Sequence, residues 1–367
     1  MTQALTLLGE KPCLIGTNGN GFWGNLESTT FTTPEAVLLQ SILHRYIKQG
    51  ASSLVMEVSS HGLSQHRVAG IPFLIGVFTN LTRDHLDYHG DMEAYYQAKK
   101  QLFLSPSMGY AIIHIDDPYG KRLSNELKKE RPELEILGYG VNKQAHIHLH
   151  TVNESQEGIE LNLTSPWGDI QLFHPHLIGF FNAQNLAASF AVLCVLGFEA
   201  SLSAKILSGI KPAKGRMQVL KEKGKPLVII DYAHTPDALQ KALIVLKPAA
   251  QAGKLYCVFG CGGNRDQGKR SLMGQVVEET ADYAVVTSDN PRDEDPIEII
   301  ADIIKNIHPK IVETDRKKAI QWAIEQANEG DVVLIAGKGH ENYQEIKGTR
   351  YPFDDDEIAL HYLKDKQ

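Results

Sequence analysis

Most of the side chains whose types and spacing could do chemistry lie in four stretches of the chain: Glu57–Lys99, Gly262–Arg270, Asp289–Arg292 and Gly337–Glu341. In the first, Glu57, Ser59, His61, Gln65 and Arg67 follow one apolar run, and Asn80, Arg83, Asp84, His85, Asp87 and His89 follow the next. A hard cation such as magnesium takes carboxylate, imidazole and water ligands together with phosphate oxygens, so Glu57 and His85 at neighbouring strand ends would suit one. The competing reading of RDHLDYHGD is a charged helix start capped by Asp84.

The other three stretches suit a zwitterionic ligand. DNPR places a carboxylate, an amide and a guanidinium together at Asp289, Asn290 and Arg292, with Pro291 stiffening the loop. Asp289 can take an ammonium while Arg292 grips a carboxylate in bidentate fashion, and Arg265 in GGNRDQGKR is the candidate second clamp. GKGHE adds close backbone approach at Gly337 and a further carboxylate at Glu341. Any one of these segments, alone, reads equally as a turn. The run Gly16-Thr-Asn-Gly-Asn-Gly21 invites comparison with a phosphate loop, but Asn20 stands where the lysine is needed and Gly21, Phe22 and Trp23 follow. It reads as a turn or hairpin.

The elements that must position these residues follow an α/β pattern: β-rich runs that end in polar or glycine-rich turns and lead into helices. Such runs are Ser53–Gly62, Leu74–His85 and Tyr110–Pro118, then Pro226–His234, Lys254–Asp266, Ala281–Arg292 and Asp331–Glu341. Ligands of open parallel sheets bind beyond the carboxyl ends of the strands, so the four polar ends of the second set describe one lip of a cleft. Alternation between about Gln144 and His176 predicts a small antiparallel sheet. A buried helix is expected over FNAQNLAASFAVLCVLGF, and MTQALTLLGE reads as the back half of an amphipathic helix. The Gly-, Pro- and Lys-rich segment Gly209–Met217 is the candidate hinge. The acidic run Asp354–Glu357 reads as a solvated turn.

Composition bounds what such a chain can be. Its 367 residues are enough for two or three domains, and 37 Lys and Arg against 44 Asp and Glu leave a net charge of −7, against a general nucleic-acid coat. Cys13, Cys194, Cys257 and Cys261 form no CxxC pair, so neither a disulfide framework nor a zinc site is indicated and a reducing cytoplasm is expected. Leu186–Phe198, the longest apolar stretch, is too short for a membrane helix, and no export signal is evident.

Taken in order, EVSSHGL, NLTRDHLDYHG, Phe181–Asn185, GRM, DYAHTPDAL, GCGGNRDQGKR, DNPR and GKGHE closely resemble the Mur ligases, and within them the diaminopimelate-adding branch. The resemblance runs essentially end to end. It implies ATP-dependent ligation of meso-2,6-diaminopimelate to UDP-N-acetylmuramoyl-L-alanyl-D-glutamate through an acyl phosphate, in peptidoglycan precursor synthesis. It also implies magnesium held by Glu57, His85 and a carbamylated Lys99. Thr32, Thr33, Ser59, Gln65 and Arg67 match contacts to the UDP-muramoyl-peptide. Asn182, Asn185, Arg216, Asp231 and His234 match nucleotide contacts. Arg265, Asp289, Asn290, Arg292, Gly337 and Glu341 match the amino-acid pocket. The arginine of DNPR fits a ligand with a distal carboxylate, which lysine lacks.

The fold implied is α/β: a central Mur-ligase domain of ATPase type over residues 1–211, with a parallel sheet and a small antiparallel sheet, then a Rossmann-like C-terminal domain over 212–367. A monomer is expected. Laid on the family, the chain begins downstream of the N-terminal uridine-nucleotide domain and of the GTNGKT-type P-loop, so impaired ATP use is expected. Two alternatives stand beside the ligase reading. One is a non-catalytic remnant that keeps the substrate pockets. The other is a related amide ligase of folyl or cyanophycin type, against which DNPR and EVSSHGLSQHRV argue.

Overall fold

The computed structural model describes residues 1–155, 157–250 and 253–366, and the chain folds as two compact units. The first comprises Met1–Asn153, Glu160–His174 and Phe181–Ile210; the second comprises Glu154–Ile159, Pro175–Phe180 and Lys211–Gln367. Among the described residues no helix is long and apolar enough to cross a membrane, and all four cysteines are free and buried.

The first unit starts with helix α1 (Thr2–Leu7), as the opening residues suggest. Strands β1 (Pro12–Gly16), β2 (Gly19–Phe22), β3 (Asn25–Glu27) and β4 (Ser53–Met56) make a sheet in the order β3-β2-β1-β4. Gly16 pairs with Gly19 across an antiparallel hairpin, so GTNGNG is a tight turn, as its missing lysine implied. Helix α2 (Ala36–Lys48) buries Leu39, Ile42 and Tyr46, one stripe at helical spacing, against Cys13 and Ile15 of β1.

A second sheet follows: β5 (Ile75–Phe78), β6 (Tyr110–His114), β7 (Glu135–Gly140), β8 (Ile147–Ser155), β9 (Gly158–Ser165) and β10 (Gly168–His174), in the order β10-β9-β8-β7-β6-β5. From β5 to β8 the pairing is parallel. The links from β8 to β9 and β9 to β10 are too short for a crossover, so these strands meander antiparallel. The antiparallel piece predicted for residues 144–176 therefore exists, but it extends the parallel sheet instead of standing apart. The buried alternation of Ile147 and Leu149, then Ile159, Leu161 and Leu163, keeps one apolar face along these strands.

Short helices α3 (Ser60–Ser64) and α4 (Leu86–His89) and the longer α5 (Met92–Lys100) and α6 (Pro118–Glu130) carry the chemistry-bearing loops of this unit. Asp91 caps α5 by accepting from Ala94 N at 2.8 Å, and Asp117 caps α6 by accepting from Gly120 N at 2.9 Å. Asp84 is not a helix cap: it accepts from the adjacent His85 N, and His85, at φ 54°, holds the cap position of α4 without a side-chain bond. Helices α7 (Phe180–Val195) and α8 (Ala200–Ser208) complete the unit, α7 being the buried helix the apolar stretch predicts.

In the second unit, β11 (Gln218–Leu220), β12 (Leu227–Asp231), β13 (Leu255–Phe259), β14 (Tyr283–Thr287), β15 (Ile311–Glu313) and β16 (Val332–Ala336) form a sheet in the order β11-β12-β16-β13-β14-β15. All but β11 run parallel. Buried on both faces, the inner strands read as nearly unbroken apolar runs, LVIID, LYCVF and VVLIA. One face, with Leu227, Ile229, Cys257, Phe259 and Leu334, packs against α9 (Pro236–Leu246), α10 (Gly268–Thr280) and α11 (Pro296–Ile304). The other, with Val228, Ile230, Val258, Val333 and Ile335, packs against α12 (Arg316–Gln326) and α13 (Asp355–Asp365). A hairpin of β17 (Tyr343–Ile346) and β18 (Thr349–Pro352) precedes α13.

The acidic run Asp354–Glu357 is not a solvated turn. Asp354 caps α13, and Asp355 is fully buried, its two oxygens accepting from Arg316 Nε at 2.9 Å and Nη2 at 2.7 Å. Removing one partner of such a pair strands a buried charge, which costs about 3–5 kcal/mol. Asp355→Ala is therefore expected to lower unfolding stability by about that amount. Asp354→Ala loses a cap and a half-exposed ion pair with Lys214, about 1–2 kcal/mol. Urea midpoints of the two variants would check the ranking; equal losses would contradict it.

Candidate active site

The side chains expected to function gather at two places, one in each unit. In the first unit they follow β4 and β5, which are edge strands of two different sheets, so Glu57 and His85 do not follow hydrogen-bonded neighbours of one sheet as the sequence suggests. Glu57, one residue beyond β4, accepts from Thr17 Oγ1 at 2.6 Å and Thr17 N at 3.1 Å, so the β1–β2 hairpin turn holds its carboxylate. Thr17 Oγ1 also lies 3.0 Å from Thr32 Oγ1. Thr33 donates to the Glu57 carbonyl at 3.0 Å and accepts from Ser59 N at 2.9 Å, tying the Thr32–Thr33 loop to the end of β4. Gly62 permits this approach: a Cβ there would sit 2.7 Å from Thr33 Cγ2.

Arg67 donates to the Thr33 carbonyl at 2.8 Å and to Gln65 Oε1 at 2.9 Å, and pairs with Glu35. Gln65 in turn donates to the Tyr88 hydroxyl at 3.0 Å. Five residues predicted to contact one ligand, Thr32, Thr33, Ser59, Gln65 and Arg67, thus form one connected network.

Beyond Tyr88 the network becomes aromatic. The Tyr88 ring lies 4.1 Å from His61, whose ring lies 5.0 Å from His85 and 5.6 Å from His89. His85 and His89 both reach Tyr95, with ring centroids 5.9 Å and 5.0 Å away. Lys99 Nζ sits 5.3 Å from the Tyr95 ring centroid. Burial lowers the pKa of Lys99, with Asp84 opposing, and Lys99 forms no salt bridge among the described residues. Lys100 differs: its ammonium meets Glu126 at 2.8 Å and Glu130 at 2.6 Å, and these bonds outweigh the effect of burial and raise its pKa. Burial also lowers His61 and His89, helped by the neighbouring imidazoles.

Among the described residues no group of three or more His, Cys, Asp or Glu is placed to hold a metal ion. The expected ligands Glu57 and His85 are only two groups of those types, so a hard cation there would need a further donor, such as the carboxylate a carbamate would add to Lys99. Its poorly solvated, unpaired amine favours the neutral form that such a reaction requires.

In the second unit the site lies beyond the carboxyl ends of the neighbouring strands β12, β16, β13 and β14. Asp289 and Asn290 are nearly buried. Asn290 Nδ2 donates to Glu341 Oε2 at 2.8 Å, and Asn290 Oδ1 accepts from Lys338 Nζ at 3.0 Å and Glu345 N at 2.9 Å. Gln344 donates to the Asp289 carbonyl at 2.7 Å, so the hairpin beginning at β17 clasps the DNPR loop. Arg292, at φ 51°, donates through Nη1 to the Gly263 carbonyl at 2.7 Å, with Glu345 3.6 Å from Nε. A Cβ on Gly262 would lie 2.8 Å from Arg292 Nη1 and 3.9 Å from Arg265 Cγ, so both predicted clamps flank this glycine.

The remaining predicted residues are placed as follows. Asp231, at the end of β12, accepts from Met217 N at 2.8 Å and Ala233 N at 2.9 Å; burial raises its pKa and these N–H groups oppose the rise. It thus ties down the GRM segment. Arg216 lies over the Tyr232 ring at 4.9 Å, and His234 lies 4.7 Å from the same ring with Nδ1 2.8 Å from the Tyr232 carbonyl. Asn182 and Asn185 lie on α7 in the first unit, 3.4 Å apart through Nδ2 and Oδ1. The five predicted nucleotide residues are therefore divided between the units.

Several residues of these two places carry no signal in their type. Thr17 belongs to a turn without phosphate-loop chemistry, and Tyr88 and Tyr95 look like any aromatic residues of a helix. Lys338 stands in plain view within GKGHE. Gln344 and Glu345 belong to a hairpin whose signal in the sequence is the single glycine of its two-residue turn, Lys347–Gly348.

A family model described as Mur ligase middle domain matches residues 1–193, and one described as Mur ligase, glutamate ligase domain, matches residues 215–339. The chain is 52% identical over 361 residues to the UDP-N-acetylmuramoyl-L-alanyl-D-glutamate--2,6-diaminopimelate ligase of Neisseria meningitidis serogroup A, covering 98% of this chain and 73% of that protein. It is 49% identical to the ligase of the same name from Chromobacterium violaceum, covering 99% of this chain and 73% of that protein. A solved structure of a ligase of that name aligns with a TM-score of 0.75 and 40% identity, over 99% of this chain and 74% of that chain.

The site geometry makes one backbone position decisive. Gly337 has φ +116°, and a Cβ there would meet Asp289 Oδ2 at 2.5 Å. Gly337→Ala is expected to cost about 1–3 kcal/mol from backbone strain alone and to displace the Asp289 carboxylate. Urea unfolding would measure the loss, and a variant as stable as the parent would show that the loop relaxes freely.

Proposed function

Because the chain belongs to the Mur ligase family of amide-bond-forming enzymes, we propose that it joins meso-2,6-diaminopimelate to UDP-N-acetylmuramoyl-L-alanyl-D-glutamate at the expense of ATP. The observation that carries the substrate assignment is the second unit's pocket, where Asp289, Asn290, Arg292, Gly337 and Glu341 meet beside Arg265. Carboxylates and guanidiniums side by side suit a ligand with both ammonium and carboxylate groups at both ends. Lysine offers Arg292 no distal carboxylate.

In this reading a carboxylate oxygen of the nucleotide-linked peptide attacks the γ-phosphorus of ATP, the bond to the β-phosphate oxygen breaks, and ADP leaves. The neutral amine of diaminopimelate then attacks the acyl phosphate, the carbon–oxygen bond to phosphate breaks, and the amide forms with loss of a proton. Asp289 and Glu341 hold the amino acid's ammonium side, and Arg292 and Arg265 its distal carboxylate. Thr32, Thr33, Ser59, Gln65 and Arg67 hold the UDP-linked peptide. Asn182 and Asn185, with Arg216, Asp231 and His234, are assigned to the nucleotide. Glu57, His85 and carbamylated Lys99 would hold magnesium, which when bound neutralises charge on phosphate oxygens. The setting for this chemistry is the cytoplasm, where the nucleotide substrates are made.

Phosphate release tests the assignment. It is expected to require ATP, the UDP-linked dipeptide and meso-diaminopimelate together, and to fall sharply when lysine replaces the diamino acid. Arg292→Met is expected to lower kcat/KM for meso-diaminopimelate by about 10–100-fold, the value of one or two lost charge-assisted bonds, while leaving KM for ATP unchanged. Preference for lysine or glutamate would overturn the substrate assignment, and turnover independent of any amino acid would overturn the ligase reading.

Lys99→Ala is expected to abolish turnover with little change in unfolding stability. Partial recovery with a short added carboxylate such as formate would support the carbamate; full activity of the variant without additive would refute it.

A further inference from the structure

We propose that Lys338 is a positioning residue that fixes which way the Asn290 amide faces and thereby makes this pocket select for a ligand carboxylate. The proposal rests on the ligase reading above and adds to it a residue that touches no substrate.

A side-chain amide has one carbonyl oxygen that only accepts and one NH2 that only donates, and the two ends have nearly the same shape. Packing alone therefore does not choose between them. At Asn290 the oxygen accepts from Lys338 Nζ at 3.0 Å and from Glu345 N at 2.9 Å, which uses both its lone pairs on donors that cannot act as acceptors. Turning the amide over would set NH2 against an ammonium and a backbone N–H. The NH2 is thus directed to Glu341 Oε2 at 2.8 Å, and its second hydrogen remains for a ligand oxygen.

Lys338 is well suited to this task and to little else. Its side chain is fully buried, so it cannot serve as a mobile contact for phosphate. It lies 3.5 Å from Glu341 Oε2 and 5.7 Å from the Tyr343 ring centroid. Burial lowers its pKa; Asp289, Glu341 and Asp355 oppose the shift, and the nearby Arg316 adds to it. Those charged groups come from the DNPR loop, its own loop, α13 and α12. The cation stands behind the Asn290 oxygen, where it leaves the NH2 end of one neutral residue as the donor.

Without Lys338, one of the two bonds that hold the oxygen disappears, Glu345 N and Glu341 alone keep the orientation, and the turned amide gains population. A carbonyl facing a ligand carboxylate repels it. The loss should therefore appear in the affinity for meso-diaminopimelate and not in the handling of ATP.

The test uses Lys338→Met, Asn290→Leu and the double variant in the intact chain. Lys338→Met is expected to raise KM for meso-diaminopimelate by about tenfold or more, as loss of one bond to a charged group does, with KM for ATP and for the UDP-linked dipeptide within about twofold of the parent. In the Asn290→Leu background the same change should add no more than about twofold, because the amide it orients is gone. Effects that multiply in the double variant, or KM values that rise together for all three substrates, would overturn the proposal.

A second readout does not depend on activity. The Asn290 side-chain NH2 signals in a 15N-correlated spectrum, assigned by their loss in Asn290→Leu, should be well resolved and exchange slowly in the parent. They should move and exchange faster in Lys338→Met, while the amide signals of β13 and β16 stay in place as a check on folding. Unchanged NH2 signals would refute the positioning role. If those signals respond as expected but the parent shows no diaminopimelate-dependent turnover, the ligase reading fails and the positioning role stands.

Discussion

Hydrogen bonding between parallel strands is the constraint on which the second unit's site depends. Parallel neighbours stand about 4.8 Å apart with their carboxyl ends on the same side, so whatever follows four adjacent strands is gathered within about 15 Å. In the second unit β12, β16, β13 and β14 are such neighbours. Their interiors carry no charged side chain, so every polar group between Asp231 and Arg292 that matters to the pocket lies past a strand end. The return of β16 to a place between β12 and β13, after the chain has run out to β15, brings GKGHE to the middle of that row.

Charge balance then divides the acidic residues by role. Asp355 and Arg316 are both fully buried and bonded in fork geometry, and Arg316 also donates to the Ala336 carbonyl at 2.9 Å. Full burial keeps that pair from any ligand, although Arg316 Nη1 is left without a hydrogen-bond partner, and the pair fixes the end of β16 against α13. Glu341 keeps about a fifth of its side chain exposed, and the hydrogen bond it receives from Asn290 uses only one of its oxygens. One buried pair is closed and structural, while a neighbouring carboxylate, backed by a cation that it only partly neutralises, stays open. The desolvation cost of Lys338 is tolerable because three carboxylates surround it, whereas one carboxylate removed would leave an expensive buried ammonium.

Legibility in the sequence follows the same division. Strand runs that end in Gly, Asn or charge announce both the parallel sheet and its lip, because burial on two faces requires an apolar interior and polarity must then be expelled to the ends. DNPR, GKGHE and the residues from Glu57 to Arg67 are legible in that way. Asp355 is not, since an acidic run on a helix start looks the same whether it faces water or a buried arginine thirty-nine positions away. The residues near Gln144 to His176 show their alternation but not that they prolong an existing sheet, which is a matter of pairing and not of period. Thr17 marks a subtler limit. The missing lysine rules out a phosphate loop, yet the turn still matters, because its threonine holds the Glu57 carboxylate.

Lys99 and Lys100 give the sharpest form of that limit. They are adjacent, identical in type and one helical step of about 100° apart on α5. The step sends Lys100 toward α6, where Glu126 and Glu130 make it an ordinary ion-paired lysine, and sends Lys99 toward the Tyr95 ring among imidazoles, where no carboxylate among the described residues pairs with it. Two neighbours thereby acquire opposite pKa shifts. Composition, charge and spacing treat them alike; only the helix phase, set by Asp91 capping α5 and by Tyr95, Tyr96 and Ala98 entering the core, decides which one stays unpaired. That phase is a packing result, so the lysine left with a poorly solvated amine is chosen by the apolar residues around it and not by any property of its own.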